Sequence, residues 1–576
     1  MKLSYSLPFL LVFFLSILSS LSGRAVNAKT GLLTALQPDG TTILIRIEGN
    51  EFGHTVYSAD GRLLTTDADG YYVAAEPSEE EQGAMADQAR MRAARNLPGL
   101  MTTYFPLEGE PRALVVLVEF SDNEFTVKNP RDFYTRMLNE VDFADDGATG
   151  SARDYFVSNS SGKFRPQFDV YGPVKLSNDI KYYGANDRWG NDSRPQQMAI
   201  DACSALDEEV DFSLYDTNSD GIIDNVFFYY AGYGEADGGG ANTIWPHSTK
   251  LSLTTNTRYV YDGVRLDRYA CTNELMTMPE KGRVDGIGTF CHEFGHVLGL
   301  PDLYATTTIN LSTPGIWDLM DNGSYNNSGM TPPSLSSYER CALGWLEPKQ
   351  LMLNDYILAT LEETNTAFIH KGDSDNEYFL FENRQQRGWD AYLPGHGMLI
   401  WHIDYKQAVW NSNTVNDNIW HQYVDLVEAD GLSGIESRSG DAFPGSKNVT
   451  EFARWTTPAF VFWDNTIDIP FYIRKIRESK EGMISFSVVP KSFVPDDDEE
   501  DEEIYDDEEE NGVGSVGVAK SFEVIDNMVC NYDGSLHVYT LGGWLAATLQ
   551  GESNAILSPG FYIAVKDGRP VKILLR

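Results

Sequence analysis

The sequence predicts an α+β protein with several domains. At 576 residues the chain is too long for one hydrophobic core. Residues 113–120 are a continuous apolar run, typical of a strand buried inside a sheet, and helical and strand-like segments alternate after it. The helical segments lie near 150–160 and 194–210, and the strands at 164–171 and 225–231. This alternation predicts a domain with a mixed sheet at 110–348.

Residues beyond 350 follow a strand-rich pattern. Apolar runs separated by turn residues lie at 378–382, 397–403 and 483–489. We expect these runs to form a β-sandwich at 349–490, packed on the mixed-sheet domain.

The N-terminus has the layout of a secretory signal. Lys2 is followed by an apolar stretch from Leu7 to Leu18, and then by small residues that end at Ala28. The apolar stretch is shorter than the roughly 20 residues that a membrane span needs, so a signal peptide at 1–28 is favoured over a membrane anchor. No later segment has the pattern of a membrane span.

A small β-module with a helical linker is predicted at 29–109. Three Asp-Gly pairs break short apolar runs before residue 76, which is typical of β-hairpins. A charged helical stretch follows at 79–96, and it carries the candidate cleavage points Arg90, Arg92 and Arg95. We interpret this region as a cleavable prosegment, and a permanent accessory β-domain is the alternative.

The charge of the chain is strongly uneven. The formal net charge is −41, and 13 acidic residues fall within 496–510. Such a run repels itself and cannot bury a core, so we expect 491–518 to be an extended, solvated linker before a last small β-module at 519–576. The rest of the chain is also acidic, which argues against nucleic acid as a partner, because phosphate binding needs basic patches.

The run HEFGHVLGLPD carries the strongest chemical signal. His292 and His296 are four residues apart, so a helix places both imidazoles on one face, where they can bind a single Zn²⁺. Gly299 can end that helix in a left-handed turn, and the returning chain can bring the carboxylate of Asp302 to the metal as a third ligand. Three ligands with one open position are typical of catalytic zinc, and Glu293 stands where it can take a proton from water.

We expect the helix that carries these histidines to span 286–298, with Asp285 as its N-cap. A second arrangement stays open, in which the third ligand is a downstream carboxylate. Glu339, on a helix predicted near Ser334 to Gly344, is the candidate in that arrangement.

A candidate calcium loop lies in the run DTNSDGIID. Oxygen-bearing side chains stand at alternate positions with a glycine at the bend. The candidate ligands are Asp216, Asn218, Asp220, Ile222 and Asp224. Phe227 stands at the twelfth position, where an EF-hand has a glutamate, so further ligands must come from elsewhere; an ordinary turn before the following strand is the alternative.

The cysteines and the remaining histidines carry weaker signals. Five cysteines cannot all pair within one chain and lack the short spacings of a structural zinc site, so we expect no disulfide. The other seven histidines lack ligand spacing. We interpret His402 and His421 as structural residues and leave the role of His247 open.

Six runs resemble the immune inhibitor A-type secreted metallopeptidases, which belong to the metzincins. The runs are ALVVLVEFSD, SGKFRPQFDVYGPV, DTNSDGIIDNV, HEFGHVLGLPDLY, GIWDLMDNGSY and PGHGMLIWHID. The resemblance implies zinc endopeptidase activity, synthesis as a zymogen, calcium as a structural ion and a β-domain behind the catalytic unit. It implies ligand roles for His292, His296 and Asp302, the base role for Glu293, and calcium binding by the polar residues of the candidate calcium loop.

Two residues beyond the zinc motif gain roles from the same resemblance. Met320 lies in a glycine-bounded turn, where a metzincin-type peptidase has a methionine beneath the metal as a hydrophobic floor. Tyr325 follows it and is a candidate donor to the tetrahedral oxyanion, as a tyrosine near this turn is in some relatives.

The last module, 519–576, resembles the C-terminal sorting domain of the type IX secretion pathway. It is a short β-rich segment with a late Gly-aromatic-Tyr and a basic end. The resemblance implies secretion machinery as a partner, followed by release or attachment to the cell surface.

We therefore expect a secreted, multidomain zinc endopeptidase that acts on extracellular proteins or peptides. The alternative is a surface binding or adhesion protein that keeps the peptidase fold without catalysis. The intact HExxH run favours the enzyme.

Overall fold

The structure, a computed structural model, describes several ranges of the chain. They are 33–36, 42–50, 53–59, 62–66, 72–74, 99–186, 192–236, 239–240, 242–276, 282–306, 312–372, 375–464, 466–493 and the strands between 522 and 575. The chain divides into two compact units, residues 1–90 with 252–257, and residues 91–251 with 258–576.

Three predicted segments lie outside the described residues, wholly or nearly so. They are the signal peptide at 1–28, the helical linker at 79–96 with Arg90, Arg92 and Arg95, and the acidic linker at 491–518, of which 491–493 are described. Within the described part of the chain, no helix combines the length and the apolar character that crossing a bilayer requires.

The first unit contains a five-stranded antiparallel sheet. Its strands are β1 (Leu33–Leu36), β2 (Thr42–Asn50), β3 (Gly53–Ser58), β4 (Leu63–Thr66) and β5 (Tyr72–Ala74). They pair in chain order, as successive hairpins do.

The second unit begins with a mixed sheet. The strands of this region are β6 (Arg112–Glu119), β7 (Gln167–Lys175), β8 (Val226–Tyr233), β9 (His247–Lys250), β10 (Tyr259–Tyr261), β11 (Val264–Leu266) and β12 (Arg268–Leu275). The sheet has the order β7-β6-β8-β12-β9, and β10 and β11 form a separate hairpin. The first four strands are parallel, and β9 is antiparallel to β12. The mixed α+β character predicted for this region is present.

Helices between these strands differ from the predicted segments at their ends. They are α1 (Pro130–Asn139), α2 (Ala152–Asn159), α3 (Ile180–Gly184) and α4 (Pro195–Leu206). Helix α2 begins after Ser151, because Ser151 and Asp154 form a capping box there. Helix α4 ends at Leu206, four residues before the expected end at 210. Three acidic residues follow at 207–209, and the negative end of the helix dipole disfavours acidic side chains there.

The mixed sheet separates two cores. On β8, Phe227 and Tyr229 face the core that holds helix α5 (Gly288–Leu298), whereas Phe228 and Tyr230 face the core that holds α4. Phe290 of α5 packs on β8, with ring centroids 4.4 Å from Phe227 and 5.6 Å from Tyr229. The sheet therefore fixes the position of α5.

The strands after residue 348 form two further sheets. They are β13 (Lys349–Gln350), β14 (Asn354–Leu358), β15 (Phe368–Lys371), β16 (Glu377–Arg384), β17 (Gly397–Asp404), β18 (Val424–Leu426), β19 (Phe471–Glu478) and β20 (Ile484–Pro490). One sheet has the order β13-β15-β16-β17-β18 and the other β14-β20-β19. Short helices in this part of the chain are α6 (Ser337–Ala342), α7 (Leu361–Thr364) and α8 (Gln407–Asn411).

One core joins the two predicted domains. Phe381 of β16 packs with Ile473 of β19 between the two later sheets. Leu380 and Trp401, on the other face of β16 and β17, lie in the same core as Phe290 of α5. The core is therefore continuous across residue 348, where a domain boundary was expected.

Residues 99–105 also belong to this core. Leu100 and Phe105 are buried in it, and Phe105 meets Phe294 of α5 edge-on, with ring centroids 5.2 Å apart. The packed core of the second unit therefore begins before residue 109, the expected end of the prosegment.

The C-terminal segment contains two small antiparallel sheets. Their strands are β21 (Phe522–Ile525), β22 (Met528–Asn531), β23 (Ser535–Thr540), β24 (Leu545–Gln550), β25 (Ser553–Ile556), β26 (Gly560–Lys566) and β27 (Arg569–Leu575). The sheets have the orders β21-β22-β25 and β24-β23-β26-β27.

Candidate metal centre

The helix α5 begins at Gly288, two positions later than predicted, and Asp285 does not cap it. The N-cap position is Ile287, which makes no side-chain cap bond, and the Gly288 N–H donates to the carbonyl of Gly329 at 2.8 Å. Asp285 instead accepts a hydrogen bond from the Thr289 hydroxyl at 3.0 Å. The prediction of an Asp285 cap was wrong because a backbone carbonyl from a distant segment satisfies the first N–H of the helix.

Gly299 ends α5 as the sequence suggested. Its φ is +99°, a left-handed conformation that glycine adopts without strain, and the Leu300 N–H donates back to the Gly295 carbonyl at 2.9 Å. The chain turns sharply here and brings Asp302 back under the histidine face of the helix.

Two imidazoles and one carboxylate meet at this turn. The Oδ1 atom of Asp302 lies 3.2 Å from Nε2 of His292 and 3.2 Å from Nε2 of His296. In the described part of the chain, these three residues are the one group of three or more His, Cys, Asp or Glu side chains whose candidate ligand atoms lie within 4.8 Å of one another. The converging atoms are Nε2 of His292, Nε2 of His296 and Oδ1 of Asp302, and each of them can bind a metal ion.

The outer nitrogens of both imidazoles are bound to backbone carbonyls. Nδ1 of His292 lies 2.8 Å from the carbonyl oxygen of Leu319, and Nδ1 of His296 lies 2.8 Å from that of Leu300. A carbonyl accepts only, so each Nδ1 carries the hydrogen and each Nε2 is free to present a lone pair inward. Hydrogen bonds from Nδ1 to a backbone carbonyl fix the orientation of an imidazole so that its Nε2 can bind a metal.

Two buried carboxylate atoms at the site have no hydrogen-bond partner: Oδ1 of Asp302 and Oε2 of Glu293. Burying a carboxylate oxygen without a partner is costly, so an orphaned pair beside two imidazole nitrogens fits a bound cation. The donor set of two nitrogens and one oxygen suits Zn²⁺.

The charges at the site depend on one another. Burial raises the pKa of Glu293. Burial alone would raise that of Asp302, but the neighbouring imidazoles hold the Asp302 pKa well below its usual range. Burial would lower the pKa of His296, and the Asp302 carboxylate instead raises it to about 9. Burial and the opposite charges of the neighbouring groups therefore shift the pKa values of Asp302 and His296 in opposite directions.

Met320 is fully buried beside the helix. The Cβ that a side chain at Gly295 would carry would lie 2.6 Å from the Met320 sulfur, so glycine is needed for this close packing. The Met320 N–H donates to Asp318 at 2.8 Å, and its carbonyl accepts from the Leu303 N–H at 2.8 Å. The turn thus ties α5 to the segment that carries Asp302.

Two tyrosines lie near the site, and the sequence singled out one of them. Tyr325 is 42% exposed, in a 3₁₀ turn at Asn322–Tyr325. Tyr304, which the sequence analysis missed, lies with its ring nearly parallel to that of His292, at 6.4 Å between centroids. Burial and the charge of Asp302 raise the pKa of Tyr304, so its hydroxyl stays protonated and can donate a hydrogen bond. The sequence feature that could have identified Tyr304 is its position two residues after Asp302.

Glu339, the rival third ligand, is engaged elsewhere. It closes the capping box of α6, where its Oε2 accepts hydrogen bonds from the Ser336 N–H at 2.7 Å and the Ser336 hydroxyl at 2.9 Å. It is not part of the group formed by the two imidazoles and Asp302.

The candidate calcium loop is folded by its own polar side chains. Asp216 accepts from the N–H groups of Asp220 and Gly221, and the Asp220 N–H also approaches Asn218 Oδ1 at 2.9 Å. The Ile222 N–H donates to Asp220 at 2.9 Å. These contacts shape a tight loop, with Arg268 3.3 Å from the other Asp220 oxygen.

Asp224 ends this loop as a buried carboxylate. Its Oδ2 accepts from Thr217, and its Oδ1 is buried without a hydrogen-bond partner. Burial raises the pKa of Asp224 to about 7. In the described part of the chain, Asp216, Asp220 and Asp224 do not form a group whose candidate ligand atoms all lie within 4.8 Å of one another, as those of His292, His296 and Asp302 do.

Three other histidines make ordinary structural contacts. Nε2 of His402 lies 2.9 Å from Glu377, and Nε2 of His421 lies 2.7 Å from Asp404. Nδ1 of His247 bonds to the Trp245 carbonyl and its Nε2 to the Tyr269 hydroxyl. Among the cysteines that the structure describes, Cys203, Cys271, Cys291 and Cys341 are free.

One known family of proteins matches the part of the chain that contains this site. Residues 107–346 match the family described as immune inhibitor A peptidase M6, catalytic domain. The match includes both candidate metal sites.

Two curated relatives match part of the chain. The pre-pro-metalloprotease PrtV of Vibrio cholerae serotype O1 (strain M66-2) is 27% identical over 292 residues, which are 42% of this chain and 31% of the relative. Immune inhibitor A of Bacillus thuringiensis subsp. alesti is 29% identical over 269 residues, which are 39% of this chain and 38% of the relative. The chain thus spans about a third of the length of these relatives.

A solved structure, metalloproteinase-II from Bacteroides fragilis, matches 50% of this chain and 79% of its own at 9% identity. Its TM-score of 0.18 is too low to support a shared fold.

Proposed function

Because residues 107–346 match the peptidase M6 catalytic-domain family, we propose that this chain is a secreted zinc endopeptidase that hydrolyses peptide bonds of extracellular proteins. The observation that carries the proposal is the position of Asp302 Oδ1, 3.2 Å from Nε2 of both His292 and His296. A carboxylate and two imidazoles so placed are a three-ligand site with room for a water or substrate.

In this proposal His292, His296 and Asp302 hold the zinc. When bound, zinc supplies Lewis acidity, which makes water a stronger acid and polarises the peptide carbonyl. Glu293 accepts the proton of the attacking water at its unpartnered Oε2 and passes it to the leaving amine. Its burial supports this role, since a raised pKa makes the carboxylate a stronger base.

The surrounding residues position these groups. Met320 acts as the floor beneath the helix, supported by its packing on Gly295. Tyr325 remains the candidate oxyanion donor from the sequence, and Tyr304 is a second candidate because its ring lies against His292. The proposal also gives the catalytic domain a metzincin-like fold and the strand-rich region at 349–490 the fold of a β-sandwich.

We propose calcium as a structural ion at the loop 216–224. The support is chemical: several carboxylate and amide oxygens lie within one short loop, and Asp224 Oδ1 is buried without a partner. Asp216, Asn218, Asp220, Asp224 and the Ile222 carbonyl are the proposed ligands. The hydrogen bonds within the loop are the competing explanation for its shape.

Synthesis as a zymogen is part of the proposal, with the N-terminal module removed on activation. Leu100 and Phe105 are buried in the core beside α5, so a cleavage after residue 105 would remove them. We therefore place the activating cleavage before Gly99, on the side where the candidate arginines lie. The C-terminal module, 519–576, is proposed to engage the secretion machinery, with release or surface attachment afterwards.

The competing proposal is a surface binding or adhesion protein that has lost catalysis. The variant Glu293→Gln distinguishes the endopeptidase from the binding protein. Glu347→Gln is the control, because Glu347 is exposed. The proposed mechanism predicts that Glu293→Gln degrades casein at least 100-fold more slowly, whereas the control keeps its activity. Full activity in Glu293→Gln, or wild-type activity that a zinc chelator leaves unchanged, would contradict the proposal.

A further inference from the structure

We propose that Asn413 is the positioning residue of the metal site, and that it fixes the Asp302 carboxylate with Oδ1 toward the two imidazoles. The inference rests on the proposed function, because it concerns the third zinc ligand. Asn413 follows helix α8, in the strand-rich region after residue 348, and it is 111 positions from Asp302 in the chain.

Two hydrogen bonds join these residues. The Asn413 Nδ2 donates to Asp302 Oδ2 at 2.6 Å, and the Asp302 backbone N–H donates to Asn413 Oδ1 at 2.8 Å. Asp302 is therefore held at both its backbone and its side chain by one amide. With Oδ2 occupied, Oδ1 is the oxygen left to face His292 and His296, and it is the buried atom without a partner.

An amide is the side chain that this contact requires. Carboxamides carry a donor and an acceptor in one plane, so Asn413 can make both bonds at once. A carboxylate in its place could accept from the backbone N–H but would repel Asp302. The Asn413 backbone has a φ of +53°, a left-handed conformation that asparagine tolerates better than most residues. Side chain and backbone therefore both favour asparagine here.

Neighbouring residues of the same loop hold the rest of the ligand segment. The Thr306 hydroxyl donates to the Asn413 carbonyl at 2.8 Å, and the Thr306 N–H donates to Asp417 at 2.5 Å. The amide of Asn416, fully buried, donates to the Leu303 carbonyl at 2.8 Å. The strand-rich region thus supports the third ligand directly, and the matched catalytic domain alone lacks this support.

Zinc affinity is the measurement that tests this role. Full-length protein is stripped of metal, and its zinc dissociation constant is determined by competition with a chromophoric chelator for wild type, Asn413→Asp and Asn413→Ala. Asn418→Asp is the matched control, because it adds the same charge in the same loop, and Asn418 accepts a bond from the Trp420 N–H without touching the ligand segment. The absorption spectrum of the cobalt-loaded protein reports the ligand geometry, and the melting temperature of the metal-free protein reports folding.

We expect Asn413→Asp and Asn413→Ala to weaken zinc binding by about 10- to 100-fold and to change the cobalt spectrum, with the control like wild type. Unchanged affinity and spectrum in both Asn413 variants would overturn the inference while leaving the proposed function intact. So would an equal loss in Asn418→Asp, or a loss of affinity in the Asn413 variants that only follows unfolding of the metal-free protein. A wild-type chain that takes up no zinc would overturn the proposed function, and this inference with it.

Discussion

The hydroxyl of Thr103 donates a hydrogen bond of 2.7 Å to the carbonyl oxygen of Val297, in the last turn of the helix that carries both candidate zinc-binding histidines. The Met101 N–H donates to the Gly299 carbonyl at 2.7 Å just beyond it. Carbonyls at a helix end have no partner within the helix. A segment that precedes the region matched by the family model therefore supplies hydrogen-bond donors to the carbonyls at the end of α5.

Replacement of Thr103 by Val should destabilise the protein. The variant loses the bond to Val297 and also leaves the buried Phe105 N–H without the hydroxyl that accepts from it at 3.2 Å. We expect the free energy of unfolding to fall by about 1–3 kcal/mol, measured by urea denaturation. Thr103→Ser keeps the hydroxyl and should lose less; equal losses in the two variants would show that the hydrogen bonds contribute nothing.

Asp390 forms a buried ion pair that should dominate local stability. Arg384 meets it with two bonds, 2.7 Å from Nε and 2.6 Å from Nη2, and both side chains are inaccessible to solvent. Removing Asp390 leaves the buried Arg384 with Glu382 as its remaining charged partner and takes away two charge-assisted hydrogen bonds, so Asp390→Ala should lower the free energy of unfolding by about 3 kcal/mol or more.

The control for this prediction is Asp375→Ala. Asp375 pairs with Lys371 on the surface, where solvent screens an ion pair and its contribution to stability is small. Similar decreases in the free energy of unfolding for Asp375→Ala and Asp390→Ala would contradict the prediction that the buried ion pair stabilises the protein more than the exposed one.

His370 should make stability depend on pH. Its ring lies among Phe460, Phe462 and Phe471, and burial lowers its pKa to about 4. A neutral buried histidine that protonates more readily when unfolded contributes its full stability above pH 6.5, and that stability is lost as the pH falls toward 4.

The size of this effect should be up to about 2 kcal/mol over that range, measured as the difference between wild type and His370→Phe in thermal denaturation at several pH values. The variant has no group to titrate at this position. Parallel curves for the two proteins between pH 7 and 4 would exclude the role of His370.

Calcium should raise the melting temperature through the loop 216–224. A ligand that binds the folded state stabilises it in proportion to the logarithm of its concentration, so millimolar Ca²⁺ should raise the melting temperature by several degrees. Asp224→Asn should lose this shift, and Asp375→Asn, a surface change outside the loop, should keep it. A wild-type melting temperature that responds neither to Ca²⁺ nor to a calcium-selective chelator would refute the calcium site.

The sequence identified the three residues that converge at the metal centre because they lie close together in the chain. A helix fixes the spacing of His292 and His296, and the glycine turn at Gly299 returns the chain to Asp302, so local geometry decides the arrangement. Asn413 and Tyr304 were missed. The contact of Asn413 with Asp302 depends on how distant segments pack, which no local pattern in one sequence encodes.

The same limit explains the errors in the fold. Apolar runs located β6, β7, β8, β16, β17 and β20 to within a few residues, since alternation and burial act locally, whereas the other strands of these two regions were not assigned. Asp285 was given a capping role that the Gly329 carbonyl takes, and the sequence could not show that Trp401 packs in the core that contains α5. Both depend on contacts between segments far apart in the chain.

We propose Asp302 as the third ligand of a catalytic zinc held by His292 and His296. The most direct measurement is the zinc content of purified full-length protein by atomic emission, together with casein degradation, for wild type and Asp302→Ala. The account predicts one zinc per wild-type chain, and both zinc and activity lost in Asp302→Ala. An Asp302→Ala variant that keeps its zinc and degrades casein as fast as wild type would contradict it and favour another carboxylate, such as Glu339.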